Sequence, residues 1–128
     1  MTSWTEDELN KIDAAEELEI AALRPDGTSR KPVTIWVVQV EEGIYVRSAY
    51  GTNAAWYRAT KVRDEGHIEV ANLRRDVTFE AADPAVADQL DEAYRNKYRR
   101  HGAQYVDSVT TAEARSTTIK LVPRGATA

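Results

Sequence analysis

The chain has 128 residues, 42% of them hydrophobic, and no cysteine. That is the size of one domain with enough apolar side chains for a core, and it excludes wholesale disorder, disulfides and cysteine-ligated metals. The net charge of −4 argues against general nucleic-acid binding, which needs a basic face.

The first element is a helix opening at Trp4-Thr5-Glu6-Asp7-Glu8-Leu9. Thr5 caps it, Glu8 completes a capping box, and Trp4 staples onto Leu9. The helix ends near Ala15. The region after Met1 has no apolar core like a signal peptide. No apolar run in the chain approaches the roughly 20 residues of a membrane span, so a cytoplasmic protein without a membrane partner is expected. Leu18, Ile20 and Ala22 alternate with Glu17, Glu19 and Ala21, which reads as a strand over Leu18–Leu23. Arg24-Pro25-Asp26-Gly27-Thr28 is a turn, followed by Ser29, Arg30 and Lys31.

Val33 to Val40 is apolar and β-branched almost throughout, as in a central strand buried on both faces. Glu41-Glu42-Gly43 is read as the loop to a second strand, Ile44–Tyr50, with Gly43 supplying a positive φ. A three-residue loop sets Val40 opposite Ile44 and Val38 opposite Val46. One face then holds Trp36, Val38, Val40, Ile44 and Val46 and looks like the core. The other holds Ile35, Val37, Gln39, Tyr45 and Arg47.

Gly51-Thr52-Asn53 follows, with Thr52 as N-cap of a helix that continues through Ala54-Ala55-Trp56. A helix start presents unpaired N–H groups and favours anions. With Arg47 just upstream, the pair forms an anion locus suited to a phosphate. The plainer reading of the same residues is that Thr52 only caps and Arg47 only snorkels or pairs with a glutamate.

After Arg63-Asp64-Glu65-Gly66, the runs His67–Leu73 and Val77–Ala81 read as a hairpin around Arg74-Arg75-Asp76. Asp83-Pro84 opens a long helix with the apolar stripe Val86, Leu90, Ala93, Tyr94 and Tyr98, closed by Arg99-Arg100-His101 and Gly102. A short helical or irregular piece, 103–111, precedes a final strand over Ser116–Val122 that turns Thr117, Ile119 and Leu121 inward. The expected organisation is one domain over residues 1–123 and a frayed tail over 124–128. About six strands and three helices, the strands close enough in sequence for antiparallel pairing, indicate an α+β fold with a small barrel or curled sheet. His67 and His101 lack carboxylate partners at metal spacing, and no nucleophile elbow, phosphate loop or dinucleotide fingerprint occurs.

Ile20-Ala21-Ala22-Leu23-Arg24-Pro25-Asp26-Gly27, Ile35-Trp36-Val37-Val38, Tyr45-Val46-Arg47-Ser48, Gly51, Trp56-Tyr57-Arg58, Tyr94…Lys97-Tyr98 and Thr117-Thr118-Ile119…Pro123 together resemble an uncharacterised bacterial family of small domains of unknown function. That family looks related to the FMN-binding split barrels, the superfamily of pyridoxamine phosphate oxidase and the deazaflavin-dependent nitroreductases. Gly27-Thr28-Ser29-Arg30-Lys31 and Gly51…Trp56 resemble pieces of the nitroreductases. The resemblance implies a small antiparallel split β-barrel with flanking helices, assembled as a homodimer. It also implies an FMN or deazaflavin site at Arg47, Ser48, Gly51, Thr52, Asn53 and Trp56, with Arg30 and Lys31 as supplementary charge. The expected activity is that of a flavin-type oxidoreductase. The alternatives are a cofactor-free domain that binds small anionic ligands or mediates dimeric interactions, and a purely structural dimer module. The serine and lysine that grip the FMN phosphate in the oxidase correspond here to Gly51 and Asn53, neither of which replaces the lost charge.

Overall fold

The computed structural model describes residues 4–49 and 51–124. Helix α1 (Glu6–Ala14) begins with the expected capping box, Thr5 accepting from the Glu8 N–H and Glu8 from the Thr5 N–H. Trp4 is 8% exposed beside Leu9 in the core, and its indole N–H donates to the Leu121 carbonyl at 3.0 Å. Strand β1 (Leu18–Ala22) follows as its alternation indicates.

The apolar run from Val33 to Val40 is not one central strand. It divides at Trp36-Val37 into β2 (Val33–Ile35) and β3 (Val38–Val40). The remaining strands are β4 (Gly43–Val46), β5 (Glu65–Val70), β6 (Leu73–Ala81) and β7 (Ile119–Pro123). Together they make one antiparallel sheet in the order β2-β1-β5-β6-β7-β4-β3. β2 and β3 thus occupy opposite edges of the sheet while being joined by two residues. Such a link spans about 10 Å at most, so the sheet must curl until its edges meet. The α+β split barrel is the result, with seven strands among the described residues where about six were expected.

The seam between the edges is held by side chains. The Val37 N–H donates to the Tyr98 hydroxyl oxygen at 3.1 Å, and that hydroxyl lies 3.0 Å from the Val37 carbonyl oxygen and 2.7 Å from that of Glu16. Lys97 Nζ donates to the same Val37 carbonyl at 2.8 Å. The Tyr98 ring stacks on Trp36 with centroids 4.0 Å apart and planes 4° from parallel.

Both hairpin turns differ from the expected ones. Val40 pairs with Gly43, so the loop is Glu41-Glu42, and Glu41 rather than Gly43 takes the positive φ of 55°. Gly43 is a strand residue, where a Cβ would lie 2.7 Å from the Tyr45 ring. Likewise Val70 pairs with Leu73 around Ala71-Asn72, and Arg74, Arg75 and Asp76 lie inside β6. A one-residue slip reverses the faces of a strand. Val38 opposes Tyr45 instead of Val46. Ile44, Val46 and Val37 therefore point into the barrel with Ile68, Val77, Ile119 and Leu121. Val38 and Tyr45 point outward against Leu90, Tyr94 and Tyr98.

Those last three residues belong to α3 (Ala87–Tyr98), entered through a 3-10 turn at Pro84–Val86, with Asp83 accepting from the Ala85 N–H at 2.9 Å. Its stripe is the predicted one. α2 (Ala55–Val62), α4 (Ala103–Ser108) and α5 (Ala112–Arg115) complete the helices. Thr117, Ile119 and Leu121 are inward as expected, at 0–2% exposure. Arg124 does not begin a tail, since its N–H donates to the Asp76 carbonyl at 2.8 Å and its guanidinium pairs with Glu65 at 3.0 Å. Tyr50 and the rest of the expected tail, 125–128, lie outside the described residues.

Candidate functional site

Arg47 follows the last residue of β4 and lies two positions beyond Tyr45, on the face that meets α3. Its side chain is fully buried. Nε donates to Thr118 Oγ1 at 3.0 Å and Nη1 to Asp91 Oδ1 at 2.5 Å and to the Val109 carbonyl at 2.9 Å. Nη2 donates to the Ala87 carbonyl at 3.2 Å, and the guanidinium carbon stands 5.6 Å from the Tyr94 ring centroid. The guanidinium is therefore engaged by the protein's own groups. Of the sequence readings, internal pairing describes Arg47, with an aspartate as the partner.

The next residues do not form the expected cap. Ser48 is buried, and its N–H donates to Thr117 Oγ1 at 2.9 Å. Gly51–Asn53 is a 3-10 turn in which Gly51 takes φ 66°, and a Cβ there would collide with the Glu113 carboxylate. Thr52 and Asn53 are exposed, and the residue preceding α2 is Ala54, which offers no side-chain cap. The helix start is displaced by that extra turn, which is why Thr52 cannot reach its N–H groups.

Trp56, in the first turn of α2, stands in the walls of two clefts. One, of about 330 Å³, is lined by Val33, Trp36, Trp56 and Tyr105, with Glu17 and Ser108 at its polar side and the buried Arg47 among its wall residues. The other, of about 240 Å³, shares Val33 and Trp56 and adds Ala55, Arg24, Arg30 and Lys31. Thus Arg47 and Trp56 come together at the first cleft, and Trp56, Arg30 and Lys31 at the second. Ser48, Gly51, Thr52 and Asn53 line neither. Tyr105 is a wall residue that the sequence reading does not single out, although an aromatic in a short polar segment is a signal. Reading Val33–Val40 as one continuous strand hides the place of Val33 and Trp36 at its seam.

The charges divide along the two clefts. Arg24 is occupied within its own turn, donating to the Ser29 carbonyl at 2.8 Å. Among the described residues Arg30 and Lys31 have no carboxylate partner, and Arg30 Nε is buried without a hydrogen-bond partner. The first turn of α2 leaves backbone N–H groups uncapped beside them. Aromatic walls next to unpaired cations and free N–H donors fit a planar ring carrying an anionic tail. Behind Trp36, burial pushes the Tyr98 hydroxyl pKa up, so it stays a neutral donor, and burial lowers that of the Lys97 ammonium against the opposing pull of Asp13 and Glu16. His101 is paired with Glu16, and its ring centroid lies 5.4 Å from that of Trp36. His67 sits apart, in β5.

The family model described as "Uncharacterized protein conserved in bacteria (DUF2255)" matches residues 8–121. No curated protein matches the chain. Among solved structures it resembles HutZ, the heme storage protein of Vibrio cholerae, at 16% identity and a TM-score of 0.64 over 94% of this chain and 90% of that one. An F420 reductase matches at 18% identity and 0.54 over 94% of each chain. A FAD-binding protein from Mesorhizobium loti matches at 13% identity and 0.56 over 94% and 89%. At these identities the likeness is one of fold.

Proposed function

This chain belongs to the DUF2255 family of uncharacterised bacterial proteins, and we propose that it binds a flavin-type cofactor, FMN or a deazaflavin, at the Trp56 clefts. The observation that carries the reading is the aromatic cleft of Val33, Trp36, Trp56 and Tyr105 beside the unpaired Arg30 and Lys31. Fold relatives named for heme, F420 and FAD support it by analogy.

When bound, the cofactor supplies hydride or electron transfer. The chain's part is positional. Trp36, Trp56 and Tyr105 receive the ring and exclude water from one side. Arg30, Lys31 and the first N–H groups of α2 receive the phosphate in place of the Arg47 locus. Val33 is 38% and Tyr105 54% exposed, an apolar mouth that a second copy of the chain covers in a homodimer. The second reading is a cofactor-free ligand-binding or dimeric interaction domain. The internal commitment of Arg47 and the uncharged, exposed Thr52 and Asn53 favour it.

Titration of FMN and a deazaflavin into the purified protein, followed by flavin fluorescence, tests the proposal. Saturable binding is expected. Trp56→Ala and the double change Arg30→Ala with Lys31→Ala should each weaken it about ten- to hundredfold, from lost stacking and lost charge-assisted hydrogen bonds respectively. No saturable binding of either compound refutes the cofactor and leaves the second reading. Sedimentation showing only monomer at micromolar concentration refutes the dimer.

A further inference from the structure

A different cleft, of about 450 Å³, opens between α2, the β6–α3 connection and α5. Its apolar lining includes Tyr57, Val86 and Leu90, and two cations, Lys61 and Arg115, belong to its wall. Tyr57 is 8% and Leu90 0% exposed. The Lys61 ammonium lies 5.1 Å from the Tyr57 ring centroid and has no carboxylate partner among the described residues. Arg115 donates to Asp88 Oδ1 at 2.7 Å, but that aspartate side chain is 95% exposed, so the pair is readily exchanged for another anion. Among the described residues Arg115 Nε is buried without a hydrogen bond, 3.5 Å from Asp91 Oδ2, whose partner carboxylate oxygen is taken by Arg47.

The cleft's own carboxylate, Asp83, is turned onto the Ala85 N–H. A cavity of this size with an apolar floor and a few convergent charges is of the kind that takes a small ligand.

We propose that this cleft binds a small organic monocarboxylate, its apolar body on Tyr57, Val86 and Leu90 and its carboxylate toward Lys61 and Arg115. It shares no wall residue with the Trp56 clefts, so the proposal stands whether or not a flavin binds. The test is a titration of ¹⁵N-labelled protein with benzoate, followed by amide chemical shifts, and the same titration with the neutral isostere benzamide. Benzoate should give saturable shifts at Lys61, Ala82 and Arg115 in the millimolar range. Benzamide should bind at least about tenfold more weakly, the value of one charge-assisted contact. Lys61→Ala, at an exposed position, should weaken benzoate about tenfold, with Lys61→Arg restoring it. Non-saturating shifts, shifts centred elsewhere, equal binding of benzamide, or an unchanged affinity in Lys61→Ala would each overturn it.

Discussion

Replacing Arg47 separates its two sequence readings, because the structural role predicts a loss that needs no ligand. Arg47→Ala removes four hydrogen-bonding contacts and strands Asp91, whose side chain is 10% exposed. Breaking one partner of a buried pair costs about 3–5 kcal/mol. Arg115 Nε, 3.5 Å from the other Asp91 oxygen, offsets part of this and places the expected loss near the lower end. For a domain of this size that lowers the melting temperature by about 10 °C. The double change Arg47→Met with Asp91→Leu removes the stranded charge and should recover at least half of the loss, since apolar replacements of buried pairs are often tolerated. Chemical denaturation of wild type, Arg47→Met, Asp91→Leu and the double variant gives the coupling directly. A melting temperature within about 2 °C of wild type in Arg47→Ala, or additive losses in the double variant, would refute the closed pair and restore Arg47 as a free ligand-binding cation.

Three further outcomes follow from the same contacts. Gly51→Ala meets both the positive φ and the Glu113 carboxylate and should cost about 1–3 kcal/mol, whereas Thr52→Ala, which caps nothing, should stay within about 0.5 kcal/mol by urea denaturation. Tyr98→Phe keeps the stack on Trp36 but leaves the buried Val37 N–H unpaired, a loss of about 2 kcal/mol by the same assay; an unchanged midpoint would remove the seam role. Burial, reinforced by Arg74, lowers the His67 pKa from 6.5 against the pull of Glu69 and Asp76. The unfolded chain then binds the proton first, so the histidine's stability term is intact above pH 6.5 and falls as the pH drops through and below that value. His67→Gln should flatten that part of the melting-temperature profile, and an unaltered profile would show that His67 does not set it.

Local chemistry was legible wherever short-range signals decided the outcome. The Thr5–Glu8 box, the Asp83-Pro84 entry, the Leu90–Tyr94–Tyr98 stripe and the alternation of Ile119 and Leu121 all describe the folded chain. The seam was not legible, because nothing at Trp36-Val37 resembles a turn. The break is imposed by ring closure and by the Tyr98 hydroxyl, from 61 residues away. The glycines misled for a related reason. Gly43 invited a positive φ, yet it is needed to admit the Tyr45 ring, and Glu41 bears the left-handed conformation instead. Of the candidate site, Trp56, Arg30 and Lys31 converge and the Gly51–Asn53 turn does not, since its extra 3-10 residues move the helix start onward.

The seam also gives the molecule a way to open. Among the described residues six strand pairings hold the sheet together, and parting β2 from β3 breaks none of them. Among the described residues it breaks the side-chain bonds of Tyr98 and Lys97 and the aromatic stack, and it parts the apolar side chains that β1 and β4 contribute to one core, so a clamshell motion about Trp36-Val37 is a route of partial opening that spares the strand ladders. In native-state hydrogen exchange the Val37 amide should therefore exchange through this sub-global route, while the ladder amides of the central strands β5 and β6 wait for global unfolding. Val33 and Trp36 line the aromatic cleft on that same seam, so the part of the wall that admits a ligand is also the part that can move without breaking a strand pairing.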